Sequence, residues 1–568
     1  MWLAVCALGI GILVVTQACG GSSSSSTMPT NSDPPTQQVA NYPAPQITVG
    51  ERLFLETRFA EYFAANMTGI NDPLPVGDPV VAQVQTTSSP LPGPFAGQSI
   101  NCRSCHFVTE FENVAGAGNR TYADFTTRSP LPRLINGFDH TPRNAEVMVG
   151  SLMSHPGPTF LHSDGEFVDA ASLVESTLTG RNLGWSPDQQ SQAIAHIARV
   201  IREDNGSSQL AVQRTGGLSY STLFLGTVTG TPEQFDLPPL YQLDVQTATD
   251  QQVLNAAANL IAAYMAALQF HQSLGVYTGS PFDAFLAANG LPQVPATNET
   301  PAEYNQRLLR LVNALQNPTF VTGANRSFLY HSQPFAFGST ELAGLKIFLS
   351  SAPGATDGSQ HAGNCASCHI APNFTDNVFH STGVSQEEYD AANGSGSFMN
   401  LSVPSLAARN ANYDQYLPMT LNHPMATESF RHIAVVGQSQ LADLGLWNVY
   451  LNPDMPTPQA ALASVVCAAG IDCSVDQGLA NTIAQFKTPT LRDLEDSNPY
   501  FHNGSKLTFQ DVVNFYIASS QLARQGKLRN APSQFQNMSI SQSDVSALVA
   551  FLQALTEDYD DNHIANQN

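Results

Sequence analysis

Charged residues are scarce in this chain, and basic residues are the scarcest. Asp, Glu, Lys and Arg make up 12% of the 568 residues, and 23 basic side chains stand against 46 acidic ones, for a formal net charge of −23. A surface with so little positive charge is poorly suited to neutralising phosphates, which argues against binding to nucleic acid. The acidic balance favours solubility, and it would also suit a basic partner protein.

Strand signals are also few. Apolar residues make up 42% of the chain, enough for sizeable cores, and the length fits roughly three or four domains of ordinary size. Amphipathic helical patterns alternate with loops that use many of the 40 glycines and 37 prolines. These patterns predict a mainly α fold with long loops. Loops of this kind are uncommon in compact domains unless a large bound group supports them.

A short apolar run stands at the N-terminus and ends in small residues. It is too short for a membrane span and predicts an export signal over residues 1–19. Thr-Gln-Ala before Cys19 resembles the cleavage box of bacterial lipoproteins, although no Lys or Arg precedes the run. We therefore expect a periplasmic or cell-envelope protein with a possible lipid anchor at Cys19. Residues 20–45 form a flexible linker rich in Ser, Thr and Pro.

Four of the eight cysteines form two copies of Cys-x-x-Cys-His. In this motif two thioether bonds attach a c-type haem, and the adjacent His binds its iron. A structural zinc site would need four ligands close together, and a thioredoxin-type pair needs no following His. Two copies in one exported chain predict two covalently bound haem c groups. Their ligands are Cys102, Cys105 and His106, and Cys365, Cys368 and His369.

Two further cysteines lie outside the motifs. Cys467 and Cys473 are close enough in VVCAAGIDCSV to close a small disulfide loop. Such a bond is expected in an oxidising compartment, and two buried thiols are the alternative.

The surroundings of the two motifs repeat. VGERLFLETRFAEYF precedes the first motif and LAGLKIFLSS the second, each with apolar residues at helical spacing. Two long amphipathic patterns, residues 254–270 and 542–558, follow the motifs in the same order. The repetition predicts a tandem fold. Its parts are an N-terminal c-type haem domain, a connecting or insert segment and a C-terminal c-type haem domain, at residues 46–275, 276–338 and 339–560.

The connecting segment carries a clear helix-start signal. Thr300 and Glu303 fit a capping box, in which the two side chains satisfy backbone N–H groups at the start of a helix. We therefore predict a helix over residues 300–317.

Residues 486–516, FKTPTLRDLEDSNPYFHNGSKLTFQDVVNFY, closely resemble the C-terminal signature of bacterial di-haem cytochrome c peroxidases and their MauG-type relatives. CHIAPNFTDNVFHSTG after the second motif and TPRNAEV after the first also resemble family segments. The long middle of the chain suggests a large-insert branch. The resemblance implies two mainly α cytochrome c-type domains, packed face to face across an interdomain site.

The resemblance also implies a distal ligand for the second haem. In this family that ligand is the residue seventeen after the Pro of Pro-Tyr-Phe-His, Met in the short peroxidases and Tyr in the MauG-type enzymes. Here it is Tyr516. A phenolate stabilises ferric iron, whereas a thioether raises the reduction potential. The alternative is a buried helix residue whose hydroxyl is bonded elsewhere.

A calcium site between the two domains is a third implication. Family members use an Asn side chain from the Pro-Arg-Asn segment and backbone carbonyls around Pro-Tyr-Phe-His. These positions correspond to Asn144, Ser497 and Pro499. Such oxygen ligands suit a hard cation, with waters completing the shell.

The sequence departs from the family at the first haem, where peroxide is normally cleaved. Cleavage needs a general base near the iron, and the family usually has a Glu some twenty residues after an Asp-Gly that follows a Trp. Here His162 and Ser163 precede Asp164, and GRNLGW at the expected Glu position contains no carboxylate. Trp185 falls close to that point. His162 and Trp185 are therefore the candidate catalytic residues.

Three functions are compatible with these features. The first is a peroxidase-like oxidoreductase that reduces H2O2 at the first haem, or uses it to oxidise a substrate. Its electrons would come through the second haem from a cytochrome c or cupredoxin. The second is a haem-dependent dioxygenase acting with O2 on an apolar substrate, which the missing Glu favours. The third is a non-enzymatic electron carrier. We predict the first. Loss of turnover in Glu175→Gln or Asp188→Asn would show that another carboxylate replaces the missing Glu, and unchanged turnover would leave the site without an acid.

Overall fold

The computed structural model describes residues 43–80, 99–106, 140–226, 230–324, 326–353, 360–467, 473–495 and 497–559. The predicted export signal, with Cys19, lies outside the described residues, as does most of the predicted linker. Within the described ranges, no helix combines the length and the apolar character needed to cross a membrane.

The described part of the chain is mainly helical, as predicted. The helices before residue 275 are α1 Pro45–Phe54, α2 Glu61–Asn66, α3 Ala170–Leu178, α4 Gln190–Glu203, α5 Gln209–Thr215, α6 Tyr220–Leu225 and α7 Asp250–Ala267. The later helices are α8 Pro281–Ala288, α9 Pro301–Ala314, α10 Ser339–Leu349, α11 Val384–Asn393, α12 Leu406–Ala411, α13 Tyr413–Tyr416, α14 Gln459–Val466, α15 Val475–Asn481, α16 Phe509–Arg524 and α17 Val545–Gln553. The strands are β1 Gln272–Ser273, β2 Val276–Tyr277, β3 Phe379–His380 and β4 Phe486–Lys487, which pair β1 with β2 and β3 with β4, both antiparallel.

One helix crossing occurs twice, in keeping with the repeat in the sequence. Helix α1 packs against α7, and α10 packs against α17. A Cβ atom at Gly50 would overlap the carbonyl oxygen of Leu260, and one at Gly344 would overlap that of Ala547. Only glycine allows two backbones to approach this closely. The helices predicted on both sides of each motif are therefore confirmed, and they meet in the same way in both copies.

The first hydrophobic core lies around the first motif. Residues 49–270 build it, mainly from α1, α3, α4 and α7, and Cys102 and Cys105 pack against it. Trp185 is fully buried in this core. Tyr559, from the far end of the described chain, is also fully buried there. This core therefore holds the first motif with residues that are distant in sequence.

The second hydrophobic core lies around the second motif and combines residues 282–374 with residues 509–555. Segment 276–338, predicted as a connecting or insert segment, contributes buried side chains to it, including Phe282 and Tyr304. The predicted capping box is confirmed at the start of α9. The Glu303 backbone N–H donates to the Thr300 hydroxyl, and the Thr300 N–H donates to the Glu303 carboxylate.

A third hydrophobic core, residues 379–484 with Phe160, was not foreseen from the sequence. It comes between the second motif and the family-like segment 486–516. Trp447 is fully buried in it, and the Arg409 guanidinium donates to the Trp447 carbonyl over 2.6 Å. The predicted disulfide between Cys467 and Cys473 is present here.

Candidate haem-binding sites

The two motif histidines are oriented in the same way. His106 Nδ1 lies 2.8 Å from the carbonyl oxygen of Glu146, and His369 Nδ1 lies 3.0 Å from that of Phe374. A carbonyl can only accept a hydrogen bond, so both Nδ1 atoms carry the proton and both Nε2 lone pairs are available for a metal. Burial lowers the pKa of both histidines. Each ring is therefore kept neutral, which is the form that binds iron.

The motif cysteines have the properties of attachment residues rather than redox residues. All four are free thiols in this structure. Burial raises the pKa of Cys102 and of Cys365 to about 12, which disfavours the thiolate that a redox pair requires. Among the described residues, a possible metal-binding group includes a motif cysteine only at the second copy, Cys368 with Asp376 and His380. Three ligands at one motif are too few for a structural zinc site. The residues fit haem c at both motifs.

Tyr516 lies next to the second motif. Its ring, on α16, packs against Phe501 and Phe535 with centroid distances of 6.1 Å. Burial, together with the nearby Cys368 and Cys365, raises the pKa of its hydroxyl. That hydroxyl has no hydrogen-bond partner among the described residues. Nothing in this part of the chain therefore engages the hydroxyl elsewhere, and a bound ferric ion would favour its ionised form.

The structure brings together part of the predicted calcium site. The side-chain amide of Asn144 donates to the Pro499 carbonyl over 2.6 Å, while Asn144 Oδ1 is buried without a hydrogen-bond partner. Ser497, which precedes Pro499 closely in the sequence, is also buried. Its hydroxyl donates to the Leu494 carbonyl over 3.1 Å. An unpartnered amide oxygen beside a backbone carbonyl fits a Ca²⁺ site, because Ca²⁺ prefers such neutral oxygens together with carboxylates and water.

The two candidate catalytic residues line one cavity but differ in their surroundings. The Trp185 indole N–H donates to the Phe59 carbonyl over 3.0 Å. His162 has a left-handed backbone, with φ of 61°, and its Nδ1 lies 3.1 Å from a carboxylate oxygen of Glu166. Trp185 is thus buried in the wall of this cavity, and its only polar atom is already hydrogen-bonded to the Phe59 carbonyl. His162 instead belongs to a charged network that includes Glu166.

The cavity measures about 420 Å³, and we refer to it as the interface cavity. One wall comes from residues 162–190, and the opposite wall comes from residues 418–458 of the third core. An ion pair joins the two walls, with Arg181 Nη1 3.0 Å from Glu428 Oε2. Glu428 is 2% exposed. A carboxylate that is 247 residues away in sequence therefore lies opposite the loop where the family's Glu was missing.

A second charged network lies on the His162 side of the interface cavity. Glu166 pairs with Arg431 over 2.7 Å, and Asp164 pairs with both Arg143 and Arg431. Although burial opposes its charge, Arg431 lowers the pKa of Glu166 well below its ordinary value. His162, Asp164 and Glu166 lie close enough to hold a metal ion. The two arginines already neutralise the carboxylates, so this group fits a structural network better than a metal site.

Sequence reasoning missed the contacts that join the surroundings of the two motif histidines. Lys487 Nζ lies 3.0 Å from Glu146 Oε2, and Glu146 is the residue whose carbonyl orients His106. Thr375 directly follows Phe374, whose carbonyl orients His369. The Thr375 hydroxyl donates to the Thr488 carbonyl over 2.6 Å. The dipeptide Lys487-Thr488 therefore touches the supports of both histidines. Its position in the family-like segment was the only signal in the sequence.

No family model matches the chain. Among curated proteins it is similar to the cytochrome-c peroxidase IdrP2 of Denitromonas iodatirespirans, with 28% identity over 195 residues, or 34% of this chain and 36% of that protein. The cytochrome-c peroxidase IdrP1 of the same organism is 32% identical over 74 residues, or 13% of this chain and 18% of that protein. The chain thus spans about a third or less of the length of these curated relatives.

Solved structures with some similarity include the diheme peroxidase BthA from Burkholderia thailandensis E264, at 17% identity and a TM-score of 0.39 over 93% of this chain and 89% of that chain. A MauG-like protein associated with microbial copper homeostasis has 14% identity and a TM-score of 0.40, over 94% and 95% of the two chains. TM-scores of 0.39 and 0.40 do not establish a shared fold. The curated relatives do confirm the resemblance to cytochrome c peroxidases that was recognised in the sequence.

Proposed function

We propose that this protein is an exported di-haem c-type oxidoreductase that reduces H2O2 at its first haem, or uses H2O2 to oxidise a substrate. The observation that carries this proposal is the matching geometry of His106 and His369. Each ring is neutral, is held through Nδ1 by a backbone carbonyl, and follows a pair of half-buried free cysteine thiols. When bound, the two haems supply the iron redox chemistry.

The chain's own residues would hold these groups. Cys102 and Cys105 would attach one haem, and Cys365 and Cys368 would attach the other, with the following histidine as the proximal ligand in each case. Tyr516 would be the distal ligand at the second site, a role that its unpartnered hydroxyl supports. Ca²⁺ would be held by the Asn144 side chain and the Ser497 and Pro499 carbonyls.

Electrons would enter from a donor protein such as a cytochrome c or a cupredoxin and pass through the second site to the first. The contacts of Lys487-Thr488 support a route between the two sites. They connect Glu146, whose carbonyl supports His106, to the loop that supports His369. The acidic surface charge suits a basic donor.

Peroxide would be bound at the interface cavity. Trp185 would close the wall of this cavity and exclude water, because its indole N–H is already bonded to the backbone. His162 would orient Glu166 and the arginine network rather than carry protons, because Nδ1 faces that carboxylate. Both residues thus support the site in our proposal, and neither supplies the general base that peroxide cleavage needs.

Location outside the cytoplasm is supported by the Cys467–Cys473 disulfide, a bond that is rare in reducing compartments. The N-terminal export signal would direct the protein to the periplasm or cell envelope, and a lipid at Cys19 would tether it to the membrane.

A haem-dependent dioxygenase is the second candidate. The third-core wall of the interface cavity is rich in Met and Pro side chains, including Met419 and Met455. Such a wall suits an apolar substrate better than it suits peroxide alone.

The test is to mature the protein with both haems and to add one equivalent of H2O2 to the diferric form. We expect rapid loss of the ferric EPR signal with matching optical changes. An unchanged spectrum would rule out the peroxidase proposal. The reactivity of the reduced protein with O2 would then separate the dioxygenase from the electron carrier, because only the dioxygenase would turn over an apolar substrate.

A further inference from the structure

The two walls of the interface cavity differ in their chemistry. On the first wall, Ser172 and Ser176 of α3 line the cavity one helical turn apart, and Thr177 follows them in the sequence. The opposite wall presents Met419 and Met455, together with three prolines of the third-core region. The cavity is therefore a slot with one hydroxyl-rich side and one apolar side.

The walls of this slot are held in place by contacts of their own. The Met419 backbone N–H donates to the Glu428 carboxylate over 2.9 Å, and the Thr420 hydroxyl donates to Asp454. The ion pair between Arg181 and Glu428 joins one wall to the other. A site whose walls are fixed before a ligand arrives loses little conformational entropy on binding. The volume of about 420 Å³ lies in the usual range for small-molecule sites.

Arginine N–H groups in the cavity lining lack acceptors. Arg181 contacts Glu428 through Nη1 alone, and among the described residues no hydrogen bond engages its Nε or Nη2. Its side chain is 22% exposed, so these donors are accessible. Arg431 contacts Glu166 and Asp164 through Nη2, and its Nε is buried without a partner. Two adjacent N–H groups of a guanidinium can bind oxygen together. Unused donors of this kind indicate a ligand with oxygen acceptors.

The charges of the walls favour an uncharged ligand. Arg181 and Arg431 are each already paired with a carboxylate. The two other carboxylates of the lining, Asp169 and Asp454, accept hydrogen bonds from neutral donors. An anion would therefore enter a cavity in which no positive charge is left unpaired, at a cost in desolvation. A cation would bring further N–H donors to a wall whose unused groups are donors.

We propose that the interface cavity binds an uncharged aromatic compound that carries a hydroxyl, methoxy or carbonyl oxygen. The oxygen accepts from Arg181 Nε and Nη2, and the ring lies against Met419 and Met455. Thioether sulfur makes favourable contacts with aromatic rings, and the flexible methionine side chain adapts to the shape of a ligand. This inference deepens the proposed function by naming the class of substrate, and it rests on that function for the oxidation of the compound. Binding itself requires no peroxide.

The test measures binding to the haem-loaded, diferric protein by isothermal titration calorimetry in the absence of H2O2. The probes are acetophenone, benzoate and benzylammonium, which share one ring and differ in charge. We expect acetophenone to bind at least about tenfold more tightly than either charged probe, because the charged probes must lose their hydration without gaining a partner.

Arg181→Lys tests the hydrogen bond to the ligand. Lysine keeps the positive charge opposite Glu428 but loses the paired N–H groups of the guanidinium. We expect the affinity for acetophenone to fall by about tenfold, the size of one hydrogen bond to a charged group. Arg199→Lys is the matched control, because Arg199 pairs with Glu203 and does not line the cavity. It should bind acetophenone like the wild type.

Met455→Ser tests the apolar wall, and it takes the place of Arg181→Lys if that variant does not fold. We expect this change to weaken the binding of acetophenone by roughly two- to tenfold, the size of a sulfur–aromatic contact.

The possible results distinguish this inference from the proposed function. A loss of affinity in Arg181→Lys or Met455→Ser, but not in Arg199→Lys, would support the site. The site would be overturned if the wild type bound no acetophenone, or if all variants bound it equally well. Tighter binding of benzoate or benzylammonium would overturn the uncharged class. A protein that binds acetophenone but does not react with H2O2 would keep the site and lose the proposed function.

Discussion

Arg143 and Asp443 form a buried bidentate ion pair that joins a residue near the first motif to the third core. Arg143 Nε lies 2.6 Å from one carboxylate oxygen of Asp443, and Nη2 lies 2.8 Å from the other. The two residues are 8% and 6% exposed. Removing Asp443 would leave Asp164 as the remaining carboxylate partner of this buried guanidinium, and a partly uncompensated buried charge costs more than a lost surface pair.

Asp443→Asn should lower the free energy of unfolding by at most about 3–5 kcal/mol, the cost of leaving a buried charge unpaired, because Asp164 still pairs with Arg143. Urea denaturation would measure the difference. Asp250→Asn is the control, because Asp250 pairs with Arg202 while its side chain is 43% exposed. That change should cost less than about 1 kcal/mol. Equal costs for the two variants would contradict a special role for the Arg143 pair.

The same pair predicts a loss of stability in acid. Although burial opposes ionisation, Arg143 lowers the pKa of Asp443 from 3.8 to about 2. A carboxyl group with a lower pKa in the folded state stabilises the protein above its unfolded pKa, and this contribution disappears as the pH falls towards the folded value. The difference in melting temperature between wild type and Asp443→Asn should therefore shrink between pH 4 and pH 2. A constant difference over this range would be evidence against the assigned pKa shift.

Haem attachment can be tested one motif at a time. Cys365→Ser combined with Cys368→Ser should leave one covalent haem, so that the intact mass and the pyridine haemochrome absorbance both indicate half the wild-type content. Cys467→Ser removes the disulfide and should leave both haems attached. Two covalent haems in the double variant would refute attachment at the second motif.

Tyr516→Met should raise the reduction potential of the second haem, because a thioether ligand favours the ferrous state more than a phenolate does. Spectroelectrochemical titration would measure the shift. Tyr389→Phe is a suitable control, since the Tyr389 hydroxyl donates to the Ser439 carbonyl within the region of the third core. If both variants keep the wild-type potential, Tyr516 is not a ligand.

Lys487→Gln should slow electron exchange between the two haems, because it breaks the contact with Glu146 that joins the supports of the two histidines. Pulse radiolysis or flash photolysis of the half-reduced protein would measure the rate. Lys506→Gln removes an ion pair with Glu387, whose side chain is 48% exposed, and should have no effect. A rate that is unchanged in Lys487→Gln would show that electrons take another route.

The sequence predicted the features that depend on local patterns. The α9 capping box involves residues three apart, and the disulfide links cysteines six apart, so both could be seen in short segments. The helices around each motif were visible because the pattern occurs twice. The third core and the positions of Asp443 and Glu428 could not be foreseen in this way. Their partners, Arg143 and Arg181, are 300 and 247 residues away, and no local pattern marks such pairs.

Tyr559 is fully buried in the first core, which is otherwise built from residues 49–270. A ribosome adds this residue long after it has made the rest of that core. The first core therefore cannot reach its final packing while the chain is still growing. If the protein is exported as proposed, a delay of this kind would suit a polypeptide that is threaded through a membrane before it folds.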